Sequence, residues 1–200
     1  MDIHKIYARI FKKTRPKRMR LFADVMELTP QTRVLDVGGT PSIWEFCPVK
    51  PDITFLNVSQ DHHVDIVADA CKIPVADKSF DVAFSNSVIE HVENQEAFAQ
   101  EIVRVSKAVF VQTPYRWFPV EPHLLTPLVH YLPKRYEKRL AGLTLNRWLV
   151  SKKSAQHLID EVTLLSVRRF KTLFPHAEIV RERLAGLTKS LIAVQRDGRD

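Results

Sequence analysis

Cysteine is scarce. Only Cys47 and Cys71 occur in 200 residues, and they form no Cys-x-x-Cys pair, so neither a disulfide framework nor a cysteine metal site is indicated. Stability must then come from burial, and 45% hydrophobic residues in a chain of this length suffice for one core. Long apolar runs are also missing: stretches such as VDIVADA and AVFVQTP fall far short of a bilayer-crossing helix, and the basic N-terminus shows no continuous apolar export signal. One domain over residues 1–200 in a reducing cytoplasm is the expected arrangement. No internal repeat or low-complexity tract is visible.

Charge excess is absent from most of the chain. The net charge is +7, and residues 1–20 account for all of it, with eight basic side chains (Lys5, Arg9, Lys12, Lys13, Arg15, Lys17, Arg18, Arg20) against Asp2. A neutral body with a basic N-terminal helical arm, residues 1–30, fits docking by the arm to a membrane surface, RNA or an acidic substrate; a solvated helix face is the plainer alternative. No aromatic-interleaved basic face in the body supports nucleic acid as a partner.

Apolar periodicity from Ile3 to Leu28 predicts two helical segments separated at Pro16. RVLDV (33–37) reads as a buried strand, followed by the loop Gly38, Gly39, Thr40, Pro41 and a helix stopped after about one turn by Pro48. Further strands are expected at Ile53–Val58, Val64–Asp69, Phe80–Ser87 and 107–114, with a helix at Gln95–Ser106. The link SQDHH is too short for a crossover helix, so a hairpin between the second and third strands stays open. Residues 115–150 form a proline- and aromatic-rich insert. A helix at Lys152–Val162, a shorter one begun by Ser166, and two strands around Gly186 close the chain.

Alternating strands and helices predict an α/β, doubly wound, mainly parallel sheet of about seven strands with a C-terminal antiparallel hairpin. Ligands bind such sheets beyond the strands' carboxyl ends, which singles out Asp36, Gly38, Asn57, Asp69, Ser85, Asn86, Thr113 and Tyr115. Two glycine signatures are missing there. Without G-x-x-x-x-G-K-[ST] no lysine reaches a phosphate, and without G-x-G-x-x-G the side chains of Thr40 and Ile43 obstruct a pyrophosphate. A phosphate-free nucleoside bearing an amino acid and a sulfonium asks for a different series: an acid after the first strand, a small-residue loop, a ribose partner and an adenine partner. Asp36, Gly38, Asn57 and Asp69 supply it in order.

The segments VLDVGG, VADACKIPVADKSFDVAFSNSVIEHV and VFVQTPYRWFPVEPH together resemble the class I S-adenosylmethionine-dependent methyltransferases of the "type 11" group, over roughly residues 32–123. The resemblance implies a Rossmann-like fold and S-adenosylmethionine as cofactor. It places Asp36, Gly38 and Gly39 at the methionine portion, Asn57 at the ribose, Asp69 and Ala70 at the adenine and Ser85 at the sulfonium end, with Thr40 and Asn86 also expected among the cofactor-binding residues. Thr40 stands at a common glycine position and Asn57 replaces the usual acid. The expected reaction is methyl transfer to a small-molecule or envelope-precursor acceptor, with His123, Tyr115 and His91 as candidate bases. A cofactor-binding or membrane-docking module with weak catalysis is the alternative; NAD-binding and RNA-methylating readings rank lower. Asx turns at Asp36 and Asp69, and plain packing of His91, are the structural readings of the same residues.

Overall fold

Seven apolar runs with β-branched residues pair into one sheet, ordered β3-β2-β1-β4-β5-β9-β8. The strands are β1 (Arg33–Val37), β2 (Asp52–Asn57), β3 (Ile66–Val67), β4 (Phe80–Asn86), β5 (Ser106–Pro114), β8 (Glu178–Leu184) and β9 (Leu187–Gln195). β6 (Val120–Glu121) and β7 (Thr126–Pro127) form a separate small hairpin. This computed structural model describes residues 3–61, 63–121, 126–140 and 159–196. Strands β1 to β5 run parallel, while β9 is antiparallel to both β5 and β8. β9 opens at Leu187, directly after the turn, because Ala185 and Gly186 both take positive φ and make the reversal in two residues.

The helices are α1 (Ile3–Val25), α2 (Pro41–Trp44), α3 (Gln95–Val105), α4 (Lys134–Leu140) and α5 (Val167–Leu173), with 3-10 turns at Ile89–His91 and Val129–Tyr131. Ser166 caps α5 by accepting from the Arg169 N–H at 3.2 Å, and Asn94 caps α3 by accepting from the Ala97 N–H. Of the helix expected at Lys152–Val162, residues 159–161 are helical and Val162 is not; 152–158 lie outside the described residues.

Side-chain alternation along each strand divides the core into two layers. Val34, Val82, Phe84, Phe110, Ile192 and Val194 face α1 and α2. Leu35, Val37, Ala83, Val109, Val111 and Ala193 face α3 and α5, where Phe98, Ile102, Phe170 and Phe174 are buried. On the first face the Phe22 ring packs at 4.7 Å from Phe84, 4.9 Å from Phe110 and 5.9 Å from Trp44.

Two expectations are corrected. Pro16 does not split the N-terminal segment: α1 runs unbroken through it. A proline removes one helical hydrogen bond at a cost of about 3 kcal/mol, and the burial of Met19, Phe22 and Ala23 one to two turns later offsets that loss. Arg18 is also buried, so the positive segment is not wholly a solvated arm. The third strand, expected at Val64–Asp69, shrinks to Ile66–Val67 and pairs parallel with β2, Leu56 opposite Ile66 and Asn57 opposite Val67. A two-residue edge strand needs no helical crossover. The loop is instead tied back by Phe55 N–H to Asp65 Oδ2 (2.8 Å) and Asp65 N–H to the Phe55 carbonyl (3.0 Å).

Candidate cofactor site

The loop after β1 is shaped by three contacts. Gly38 takes φ +75°, a conformation that favours glycine, and its N–H donates to the Leu56 carbonyl at 2.7 Å. A Cβ at Gly38 would stand 2.7 Å from Val88 Cγ2. A Cβ at Gly39 would overlap the Asp36 carboxylate, so the backbone crosses directly over that acid. Thr40 then occupies the N-cap of α2 with Pro41 at the first helical position; its hydroxyl makes no cap bond and instead meets Ser42 Oγ at 3.0 Å.

Asp36 is fully buried beneath this loop. Its Oδ2 accepts from the Trp44 indole N–H at 2.7 Å, while Oδ1 has no hydrogen-bond partner. Burial pushes its pKa from 3.8 up to about 7, with the Trp44 bond opposing the rise. An acid held under a bare backbone with one unpaired oxygen favours an adjacent positive group, because a cation restores what desolvation removed.

The neighbouring strand ends complete the edge. At the end of β2, Asn57 Oδ1 accepts from the Val58 N–H at 2.9 Å and its carbonyl accepts from Ala68 N–H at 2.9 Å. After β3, exposed Asp69 forms an Asx turn, Oδ1 accepting from Cys71 N–H at 2.8 Å, and Ala70 is buried against Leu56 and Ile73. Ser85 is buried and its hydroxyl donates to the Val37 carbonyl at 3.1 Å, bracing the start of the glycine loop from β4.

Asn86 belongs to a different set. Its Oδ1 accepts from the Arg18 guanidinium, which also donates to Gln112 Oε1 at 3.0 Å and grips Glu182 through Nη2 (2.6 Å) and Nε (3.2 Å). Burial alone would raise the Glu182 carboxyl, but the charge and bonds of Arg18, aided by Lys189, hold it below its ordinary value. The Lys189 ammonium, 3.5 Å from Glu182, is pulled below the usual lysine range by desolvation. Arg18, Gln112 and Glu182 escaped the sequence reading. Their signal was available: Thr14, Arg18 and Phe22 recur every fourth residue on the buried stripe of α1.

Asp36, Gly38, Gly39, Thr40, Asn57, Asp69, Ala70, Ser85 and Asn86 thus gather along the carboxyl edge of adjacent strands. Tyr115 joins them at the end of β5, half-buried, its N–H donating to the Lys189 carbonyl at 2.9 Å. His91 is exposed on its 3-10 turn, whereas the adjacent Glu90 is buried and accepts from Thr113 Oγ1 at 3.1 Å. His123 lies outside the described residues. Trp44, which buries its ring against Phe22 and Phe84, is the donor that holds Asp36.

The strand order and the antiparallel closing pair define a Rossmann-like methyltransferase fold of class I. Sequence agrees with architecture, since residues 46–108 match the family model described as "Methyltransferase domain". The chain is 32% identical over 128 residues to an "Uncharacterized methyltransferase" of Mycobacterium sp. (strain KMS), covering 56% of this chain and 50% of the relative. It therefore spans about half the length of the curated relatives it matches. A putative S-adenosyl-L-methionine-dependent methyltransferase from Methanococcus maripaludis superposes with a TM-score of 0.56 at 13% identity, covering 98% of this chain and 91% of that one. Phosphoethanolamine N-methyltransferase 2 of Haemonchus contortus, solved with S-adenosyl-L-methionine, superposes with a TM-score of 0.53 at 14% identity, covering 80% of this chain and 37% of that one. At these identities the two solved structures establish the fold alone.

Proposed function

We propose that the chain binds S-adenosylmethionine at the carboxyl edge and directs its methyl group to a small-molecule or envelope-precursor acceptor. The Asp36 corner carries the reading. A buried acid with an unpaired oxygen, roofed by two side-chain-free residues, suits a ligand with a cationic amino-acid end. The described part of the loop brings no lysine or arginine of its own, which disfavours phosphates as the ligand's anchor.

Bound there, S-adenosylmethionine supplies an electrophilic methyl group. Gly38 and Gly39 let it lie against the backbone, Asp36 offers negative potential, Asn57 meets the ribose, and Asp69 with Ala70 frames the adenine. Asn57 is neutral, and a neutral hydrogen bond contributes about 0.5–1.5 kcal/mol against about 1.5–3 for a charged one, so ribose anchoring is weak. An acceptor lone pair would become the new bond to the methyl carbon while the carbon–sulfur bonding pair would remain on sulfur, so the leaving thioether would need no proton and the residues of this edge would contribute chiefly by alignment. Where the acceptor is a hydroxyl, Tyr115, the residue after β5, is the candidate to take its proton.

The test is transfer of tritiated methyl from S-adenosylmethionine into organic-extractable and aqueous fractions of cell extract. Label appearing in one fraction, and abolished by Asp36→Ala and Asp69→Ala, supports the proposal. Label equal to the no-protein control refutes it.

A further inference from the structure

We infer that the carboxyl edge of this protein docks on an anionic bilayer surface, through an aromatic and basic patch on the insert together with the first turns of α1. The insert leaves β5 at Pro114 and exposes large apolar side chains: Trp117 (53% accessible), Leu128 (55%), Tyr131 (39%), Leu132 (41%) and Tyr136 (44%). These belong to one folded surface. Trp117 and Tyr131 rings lie 5.5 Å apart, the Tyr131 hydroxyl donates to the Trp117 carbonyl at 2.8 Å, and Leu128 N–H donates to the Pro119 carbonyl. Contiguous exposed apolar side chains of this size mark an interaction surface.

The chemistry around them selects the occupant. Arg116 stands over the Trp117 ring at 5.5 Å and Arg135 over the Tyr136 ring at 4.6 Å, while Lys134 and Arg139 are exposed alongside. The expectation that the body carries no aromatic-interleaved basic face is corrected here: tryptophan and tyrosine alternate with arginine and lysine on the insert, and they suit the headgroup region, where a ring needs one apolar and one wet neighbour and the cations meet anionic lipid.

The direction of α1 adds an independent argument. Phe22 packs on Phe84 and Phe110, Arg18 bonds Asn86 and Gln112 two residues further along the same strands, and Thr14 reaches Lys189, whose carbonyl pairs with Tyr115. The helix thus runs antiparallel to the strands. Its first eleven residues, 3–13, continue past the carboxyl edge for about 16 Å at 1.5 Å per residue. The sequence places Lys5, Arg9, Lys12 and Lys13 on those turns. Both basic segments therefore emerge on the side where the insert begins. Docking this way brings the mouth of the cofactor edge to the lipid surface, and it holds whether or not methyl transfer is the reaction.

Vesicle flotation of the full chain tests this, using phosphatidylcholine alone and phosphatidylcholine with about one-third phosphatidylserine. Flotation with the anionic vesicles at low salt is expected, weakened at least tenfold on neutral vesicles and falling steeply as salt is raised. Trp117→Ser with Leu132→Ser, and separately Lys5, Arg9, Lys12 and Lys13 each replaced by Gln, should each cut anionic binding at least tenfold. Arg18 stays in place in every variant because it is structural, and circular dichroism confirms folding. The inference is overturned by no flotation with either vesicle, by binding indifferent to both sets of substitutions, or by single-stranded RNA displacing the protein from vesicles at equal charge concentration.

Discussion

The two faces of the sheet end differently. Toward α3 and α5 the strands finish in Val37, Ser85 and Thr113, and the two hydroxyls donate to the Val37 carbonyl and to the Glu90 carboxyl, each at 3.1 Å. Toward α1 and α2 the same strands finish one residue out of phase in Asp36, Asn86 and Gln112, and the covering helices must supply Trp44 and Arg18 to satisfy them. One side of the cofactor edge is thus held by single hydroxyl bonds and the other by an indole and a shared guanidinium reaching in from the helices. The difference teaches that α1 is part of the site's foundation, even though its basic composition reads as a detachable arm.

The largest break in that contrast is Arg18→Ala. It leaves Glu182 and Gln112 without their common donor in a buried layer, and a destabilisation of about 3–5 kcal/mol is expected in urea unfolding. Arg18→Lys should recover only part of the loss, since one ammonium cannot fork across Glu182 and still reach Asn86.

A second break sharpens the role of Asp36. Its folded pKa, about 7, lies above the ordinary 3.8, so the folded state keeps a proton that the unfolded chain releases. Wild-type stability should therefore fall as pH rises from about 4 to about 7, with the loss complete above that range. Asp36→Asn has no such proton to lose. Thermal melts without ligand should show the variant gaining on wild type across this window while its cofactor affinity drops at least tenfold, a stability gain made at the expense of function. Parallel pH profiles for the two proteins would count against the buried acid.

Gly39→Ala comes next. Its methyl overlaps the Asp36 carboxylate, and relief by moving the loop should cost about 1–3 kcal/mol and weaken cofactor binding. Gly186→Ala, whose Cβ meets nothing, should cost about 1 kcal/mol from its φ of +82° alone and leave binding intact. The smallest effect belongs to the face toward α3 and α5: Ser85→Ala should cost about 1 kcal/mol, measured by chemical denaturation, by removing the hydroxyl bond to the Val37 carbonyl.

Sequence periodicity made β1, β4, β5 and α3 legible because the strands bury most of their length and α3 buries a stripe at Phe98, Ala99, Ile102 and Val105. The glycine loop was legible for a local reason, a strand running into residues without side chains. Less could be read where tertiary contact overrides local preference. Pro16 sits inside a helix held by Phe22 and Met19, and β3 exists as two residues because β2 and the Asp65 loop bond hold it. Arg18 was counted as surface charge although its spacing placed it on the apolar stripe, and its acid partner is 164 residues away, beyond the reach of any local pattern. Asn86 and Ser85, adjacent in sequence, were assigned one role; strand alternation puts them on opposite faces.

The most direct measurement is calorimetric titration of the purified chain with S-adenosylhomocysteine. The account requires saturable heat with one site per chain, weakened at least tenfold in Asp36→Asn and in Asp69→Ala, both still folded by circular dichroism. Absence of heat from the folded wild-type protein, or equal affinity in all three, would contradict it.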